Sequence, residues 1–213
     1  MSTKPNSDAT VSFYDQTAAA FDCGTQSVDM RHLYAEFLPL VQKGGRILDA
    51  GCGSGRDAAF FKNLGFAVTA FDASSELASI ASRKIGEPVS VMSFVDFSAV
   101  DEFDGIWACA SLLHVPALDM DEVFGKLTRG LKTHGVFYAS FKYGRSEEFR
   151  GGRLFNDYDE TKLNALLKRH PELRQLKVWV TGDARPGREG ELWLNFVLTR
   201  TGVSRAVLSV GPQ

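Results

Sequence analysis

The chain has 213 residues, 44% hydrophobic and 23% charged, a balance ordinary for one globular domain. Its formal net charge of −2 gives no overall basic surface for DNA, and no apolar run approaches the length of about 20 residues that spans a bilayer. Three cysteines, Cys23, Cys52 and Cys109, show no metal-ligand spacing. We therefore expect a cytoplasmic protein with no metal, DNA or membrane partner.

The chain begins with a polar segment, 1–10, that we expect to be disordered and that lacks the apolar core of a signal peptide. We interpret 11–200 as a single domain, followed by a tail, 201–213, without an evident partner. The domain opens with an amphipathic segment, 11–27, in which a helix is predicted over Val11 to Phe21.

Strands and helices then alternate along most of the domain. The first strand begins at Ile47, and the later predicted strands are 66–72, 89–94, 106–110, 136–141, 176–181 and 192–199. This order predicts an α/β fold with a seven-stranded, mostly parallel sheet and helices on both faces. Because no helix separates the last two strands, we expect one antiparallel strand.

A glycine-rich loop follows the first strand. Gly51, Gly53 and Gly55 allow the backbone to turn tightly and to approach a ligand closely, because they carry no Cβ. Asp72, at the end of the next strand, is placed to accept hydrogen bonds from both hydroxyls of a ribose. The glycine spacing differs from the dinucleotide fingerprint, and no Gly-Lys-Ser/Thr follows. The loop therefore predicts a nucleoside site with little provision for phosphates.

These residues resemble the class I S-adenosylmethionine-dependent methyltransferases. The resemblance rests on the strand Ile47-Leu48, the loop Asp49 to Gly55 and the acidic Asp72, and it extends from about 28 to 199. It implies a Rossmann-like methyltransferase fold with S-adenosylmethionine as the methyl donor. The loop Gly-Cys-Gly-Ser-Gly-Arg-Asp, the short inserts and the lack of a large cap domain are similar to small stand-alone bacterial-type enzymes, including the tellurite-resistance group.

The resemblance also implies which residues bind the donor. Their shared feature is a position at the carboxyl end of a strand: Asp49, Gly51, Cys52, Gly53, Gly55, Asp72, Ala73, Asp96, Phe97 and Ala110. Asp96 stands where the family commonly holds the adenine amino group, although an ordinary surface aspartate would look the same.

Two residues are candidates for a direct part in methyl transfer. His114 follows the fourth strand, and a histidine of ordinary pKa can accept a proton at neutral pH. Its alternative role is to fix the loop through a backbone hydrogen bond. Tyr14 resembles the aromatic residue of the family's N-terminal helix, which folds over the donor as a lid, but the same tyrosine could simply pack within the helix.

Basic residues cluster after the fifth strand and in a later loop. Lys142, Tyr143 and Arg153 lie in the first segment and Arg185 in the second, and arginine forks suit an anionic acceptor. The alternative is a pair of solvated loops. We predict a methyltransferase acting on a small, anionic molecule. The alternatives are an RNA methyltransferase acting at a modified tRNA nucleoside, and a non-catalytic regulator that binds S-adenosylmethionine.

Overall fold

The computed structural model describes residues 5–185, 187–188 and 190–202. Its centre is a seven-stranded sheet with the strand order β3-β2-β1-β4-β5-β9-β8. The strands are β1 (Arg46–Ala50), β2 (Ala67–Asp72), β3 (Ser90–Val91), β4 (Phe103–Ala108), β5 (Leu131–Lys142), β8 (Leu173–Gly182) and β9 (Leu192–Arg200). β9 runs antiparallel to both β5 and β8, whereas the other pairs are parallel. The predicted sheet is therefore confirmed, including its single antiparallel strand.

Six α-helices and a separate β-hairpin complete the described fold. The helices are α1 (Pro5–Thr25), α2 (Arg31–Phe37), α3 (Arg56–Asn63), α4 (Ser75–Ile85), α5 (Ala117–Gly130) and α6 (Glu160–Leu167). The hairpin is formed by β6 (Glu147–Arg150) and β7 (Arg153–Asn156). Two short 3₁₀ turns, Leu38–Leu40 and Leu112–His114, follow α2 and β4.

Helices cover both faces of the sheet, because successive residues of each central strand point to opposite sides. In β1, Ile47 packs with α2 and α3, whereas Leu48 belongs to the cluster that contains α5 and α6. Trp107 and Tyr138 stack at 3.9 Å between ring centroids on the α2 and α3 side. Burial on both faces explains why the central strands are almost continuously apolar.

Several boundaries differ from those predicted. α1 begins at Pro5, so the prediction of disorder is wrong for 5–10, while residues 1–4 lie outside the described residues. The β6–β7 hairpin replaces what the sequence pattern indicated as an irregular loop. The third strand is shortened to Ser90–Val91, where it pairs only with the end of β2. Most of the expected tail, 203–213, also lies outside the described residues.

None of the helices in the described ranges combines the length and the apolar character needed to cross a bilayer. Within the same ranges, no group of three or more histidine, cysteine, aspartate or glutamate side chains is arranged to hold a metal ion.

Candidate active site

A large cavity lies at the carboxyl ends of the parallel strands. Its volume is about 1520 Å³, and two parts of the molecule contribute to its lining. The first part, which we call the floor, is the loop 49–55 together with 72–73 and 110–111, after β1, β2 and β4; all of these residues except Ala50 and Gly55 line the cavity. The second part, the roof, comprises α1 and the β6–β7 hairpin. Ligands of open α/β sheets bind at this end of the strands.

The glycines of the floor have two different roles. Gly51 and Gly53 line the cavity with φ of 71° and 56°, a region that favours glycine. A Cβ on Gly51 would lie 2.6 Å from the Cβ of Ser111. Gly55 differs, because its missing Cβ would meet Ala81 of α4 at 2.9 Å and it does not line the cavity. Gly55 therefore lets α3 and α4 pack closely, and its implied contact with the donor stays a prediction.

Asp72 is held rigidly at the end of β2. One carboxylate oxygen accepts from the Gly53 amide at 2.8 Å, and the other accepts from the Ser74 amide at 2.9 Å. The carboxylate also lines the cavity. Burial raises its pKa, with a smaller contribution from the negative charge of Asp15. A fixed carboxylate with lone pairs left over is suited to accept further hydrogen bonds from a ligand.

Asp49 is a buried aspartate with one carboxylate oxygen that lacks a hydrogen-bond partner. It is 2% exposed, it lines the cavity, and its Oδ2 has no hydrogen-bond partner. Burial raises its pKa well above the usual value, and the charge of Asp57 adds to this effect. Asp57 is satisfied instead by Arg56, Tyr34 and the Trp107 indole, and its pKa is lowered. A buried acceptor left unpaired costs stability, so Asp49 is suited to a cationic or hydrogen-bond-donating ligand.

The other residues implied to contact the donor divide between the cavity lining and the core. Cys52, Ala73, Asp96 and Ala110 line the cavity. The Phe97 side chain instead stacks on Phe71 at 5.5 Å in the core, and its implied contact with the donor stays a prediction.

Two of these cavity residues have distinctive local chemistry. Asp96 is exposed and accepts from the Ser93 hydroxyl at 2.5 Å. Burial raises the pKa of the Cys52 thiol well above its usual value, which leaves it protonated and unreactive.

Ala110 carries backbone strain. It adopts φ of 52°, a region that alanine disfavours, immediately after β4. The Ala110 amide donates a hydrogen bond to the Ser140 hydroxyl at 2.9 Å. The neighbouring Ser111 hydroxyl donates to the Ala50 carbonyl at 2.7 Å. These bonds hold the backbone against the strain and keep the loop close to Gly51, as is typical of residues that position a ligand.

The roof helix α1 contacts the floor at Gly53 and is bonded to α4 and the residue before it. Phe21 lies over Gly53, where a Cβ would approach its ring to 3.0 Å. The Asp15 carboxylate accepts from the Ser74 hydroxyl at 2.6 Å and from the Glu76 amide at 3.2 Å, at the start of α4. Asp22 pairs with Lys84 at 2.5 Å. In this structure α1 therefore lies over the glycine loop.

The two halves of the roof meet at Tyr14. Its hydroxyl lies 2.8 Å from His114 Nε2 and 3.3 Å from a terminal nitrogen of Arg153. The other ring nitrogen of His114, Nδ1, lies 2.6 Å from the Leu154 carbonyl oxygen. A carbonyl oxygen only accepts hydrogen bonds, so Nδ1 carries the proton and Nε2 accepts from Tyr14. Both the loop-fixing bond and the contact beneath the lid are therefore present, on opposite sides of the same ring.

Burial sets the protonation of this pair. It lowers the pKa of His114 to about 4, and the positive charge of Arg153 acts in the same direction. It also raises the pKa of Tyr14. Both groups are therefore neutral near pH 7, and His114 is a much weaker base than an exposed histidine.

The basic residues of the rim are mostly paired within the protein. Lys142 pairs with Asp183 and Glu191, and Arg185 with Asp183 at 2.5 Å. Tyr143 is exposed and donates to Glu160 at 3.0 Å. These three line the cavity without presenting a free charge, which weakens the prediction that they bind an acceptor. Arg153 is different, since no carboxylate of the described residues lies within 4.0 Å of it.

Sequence patterns missed the contacts that join roof to floor. Asp15 stands in a helix where it looks like any solvated aspartate, and Ser140 sits inside an apolar strand. Thr10 accepts the Leu154 amide at 3.0 Å, which ties α1 to the hairpin across 144 residues. A lone polar residue within the apolar run of β5 is the one local signal that could have indicated Ser140.

Known proteins share both sequence and fold with the chain. Residues 47–135 match a family model described as a methyltransferase domain. The Bacillus subtilis protein YqeM, described as a putative methyltransferase, is 32% identical over a 127-residue alignment, with 54% of this chain and 50% of YqeM covered. The chain spans half or less of the length of the curated relatives it matches.

Solved structures match over nearly the whole chain. The 1,6-didemethyltoxoflavin-N1-methyltransferase of Burkholderia thailandensis, solved with 1,6-didemethyltoxoflavin and S-adenosylhomocysteine bound, has a TM-score of 0.69 and 22% identity, covering 90% of this chain and 85% of its own. The [4+2]-cyclase SpnF has a TM-score of 0.74 and 17% identity, covering 92% and 97%. The same fold thus serves a methyltransferase and a cyclase, so the residues of the site must decide the chemistry.

Proposed function

We propose that the chain is a class I S-adenosylmethionine-dependent methyltransferase and that it transfers a methyl group to a small, anionic acceptor. The observation that carries this proposal is one cavity that joins a donor floor to a roofed acceptor side. Its volume of about 1520 Å³ exceeds the roughly 300–1,000 Å³ typical of a site for one ligand. Two ligands side by side are what methyl transfer requires.

The floor residues fit S-adenosylmethionine. The unpaired Oδ2 of Asp49 would receive the ammonium of its methionine part, and the Asp72 carboxylate would receive the ribose hydroxyls. Gly51 and Gly53 leave open the space that a Cβ would fill. When bound, the sulfonium supplies an activated methyl group, so the residues of the chain need mainly to align the acceptor and exclude water. Alignment alone supplies about 7–11 kcal/mol of a reaction barrier.

A small acceptor is favoured over RNA by the state of the rim. Lys142, Arg145, Arg150 and Arg185, which would have to meet RNA phosphates, each pair with a carboxylate of the protein. The acceptor side also lies beneath α1, where a folded RNA would have to displace the roof. Both observations favour a ligand small enough to be enclosed.

Labelled methyl transfer tests the proposal. The protein is incubated with methyl-labelled S-adenosylmethionine and, separately, with carboxylic acids, phenols, thiols, inorganic oxyanions and bulk tRNA. Label in a small acid or phenol is the expected result. Label in tRNA alone would overturn the small-molecule proposal, and tight donor binding with no transfer to any acceptor would favour the regulator.

A further inference from the structure

Arg153 is a cation whose hydrogen-bonding capacity is largely unused. A guanidinium has five N–H donors, and the one hydrogen bond described for Arg153 is the 3.3 Å contact with the Tyr14 hydroxyl. Its Nε is buried and has no hydrogen-bond partner in the described part of the chain. A partly buried charge left in this state is costly unless a ligand completes it.

Aromatic rings surround this cation and fix its position. The guanidinium carbon lies 4.5 Å from the ring centre of Phe13, 5.1 Å from that of Phe155 and 5.6 Å from that of Tyr14. Rings stabilise a cation through their electron-rich faces but offer no strong acceptors for its N–H groups. The cage therefore holds the plane of the guanidinium while leaving its donors for a partner in the cavity, which Arg153 lines.

Other cations nearby do not share this property. Arg150 donates to both carboxylate oxygens of Asp157, at 2.6 and 2.8 Å, and Arg145 pairs with Asp159. Arg185 donates to both oxygens of Asp183. Among the arginines of the hairpin and its neighbouring loops in the described ranges, Arg153 is the one without a carboxylate partner within 4.0 Å.

The polar groups beside Arg153 are poor proton acceptors. The titratable groups that face His114 are Tyr14 from α1 and Arg153 from β7, while Leu154 and Phe155 contribute a carbonyl and a ring. Tyr14 commits its proton to His114 Nε2, and the Nδ1 proton of His114 is committed to Leu154. His114 thus orients the Tyr14 hydroxyl, which makes it a positioning residue and not a general base.

We propose that Arg153 binds the acceptor as an oxyanion, a carboxylate or an acidic phenolate or enolate, which is methylated in that ionised form. This inference rests on the proposed methyltransferase function. A lone pair of the acceptor oxygen forms the new O–C bond, the S–C bond breaks, and its electron pair stays on sulfur. The negative charge of the acceptor and the positive charge of the sulfonium cancel, so no proton has to leave. The neutral product no longer pairs with Arg153, which favours its release.

Binding of benzoate, a simple carboxylate probe, tests the inference without relying on turnover. Calorimetry on the full chain saturated with S-adenosylhomocysteine should show saturable binding of benzoate. Arg153→Gln should weaken benzoate binding by at least about tenfold, the usual effect of losing a charged hydrogen bond. Binding of the neutral analogue benzamide should not depend on Arg153.

Arg145→Gln is the matched control, because it removes an arginine that is paired with Asp159 and does not line the cavity. It should leave benzoate binding unchanged. Benzoate that fails to bind the wild-type chain, or that binds Arg153→Gln equally well, would overturn the inference. Retained binding of S-adenosylhomocysteine in Arg153→Gln shows that the variant is folded. Failure of the wild-type chain to bind S-adenosylhomocysteine would instead count against the proposed function itself.

Nitrogen NMR of His114 in the same complex tests whether methyl transfer proceeds without His114 acting as a base. The expected signals are those of a neutral ring protonated at Nδ1 down to about pH 5, in line with a pKa of about 4. A titration midpoint near the ordinary value of 6.5, or a ring protonated at Nε2, would restore His114 as a base and contradict the inference.

Discussion

The floor and the roof of the cavity differ in how far apart in the sequence their residues lie. The floor is local: 49–55 form one turn between β1 and α3, and its contacts with Asp72 and Ser111 join neighbouring parallel strands. The roof is assembled from two segments far apart in the sequence, with α1 meeting the β6–β7 hairpin through Tyr14, Thr10 and Arg153. The residues proposed to bind the donor belong to the first, and those proposed to select the acceptor belong to the second.

The geometry of the floor follows from the fold, whereas the geometry of the roof depends on residues particular to this chain. A glycine turn between a strand and a helix can hold the same donor in many proteins, because its geometry depends on the sheet. A roof made by two distant segments can change without disturbing the sheet. We therefore expect damage to the floor to lower stability or weaken donor binding, and damage to the roof to change the acceptor or the rate.

The largest effect should come from Gly51→Ala, in the floor. Its Cβ would overlap the Cβ of Ser111 at 2.6 Å, and its φ of 71° disfavours alanine. We expect a loss of about 2–4 kcal/mol in the free energy of unfolding in urea. Gly65→Ala is the control, since Gly65 has φ of 89° but open space around its missing Cβ. It should cost about 1 kcal/mol, and equal losses in the two variants would contradict the role of close packing.

Asp72→Ala should weaken binding of S-adenosylhomocysteine by roughly tenfold to a hundredfold, as expected for lost charged hydrogen bonds. Calorimetry on the purified chain measures this directly. Asp96→Ala, which removes an exposed carboxylate from the same cavity, should change affinity less. A larger loss in Asp96→Ala than in Asp72→Ala would reverse the assignment of ribose binding.

Asp49→Asn should separate stability from binding. The folded-state pKa of Asp49 is raised, so its proton stabilises the ligand-free chain at low pH and that stability is lost as pH rises through the raised pKa. The variant should therefore be more stable than the wild type by about 1 kcal/mol at neutral pH, with a flatter dependence on pH, and should bind S-adenosylhomocysteine more weakly. Thermal unfolding across pH checks the first part. A less stable ligand-free variant would show that Asp49 is satisfied within the protein.

The smallest effect should come from Asp22→Asn in the roof. It breaks the partly exposed pair with Lys84 that clips α1 to α4, and such pairs contribute about 0.2–1 kcal/mol. S-adenosylhomocysteine should dissociate up to a few times faster, as measured by chasing bound label. Glu102→Gln removes an exposed pair with Arg46, at the end of the sheet away from the roof, and should leave dissociation unchanged. Equal rates in the wild type and Asp22→Asn would show that α1 does not control exit.

The floor could be predicted from the sequence because its signals lie close together. Alternating glycines after an apolar strand, followed by Asp72, indicate a turn and a ligand without knowledge of the rest of the chain. The directions in which Gly55 and Phe97 face could not be predicted, because they depend on how α4 and β2 pack. The contacts that join the roof could not be predicted either, because the pairing of Tyr14 with His114 spans 100 residues and leaves no local pattern.

The pairing of Lys142 was hidden for the same reason. Lys142 is close in the sequence to other basic residues, whereas folding brings Asp183 and Glu191 against it. Arg185 differs, because its partner Asp183 stands two residues away in the sequence. No sequence pattern sets Arg153 apart from the other basic residues of this segment. It is distinguished by the absence of a carboxylate within 4.0 Å among the described residues.

Calorimetric titration of the purified chain with S-adenosylhomocysteine tests the central claim most directly. The floor predicts one saturable site per chain, bound tightly enough that Asp72→Ala produces a measurable loss. An absence of saturable binding by a folded wild-type chain would contradict the assignment of the cavity floor as a methyl-donor site.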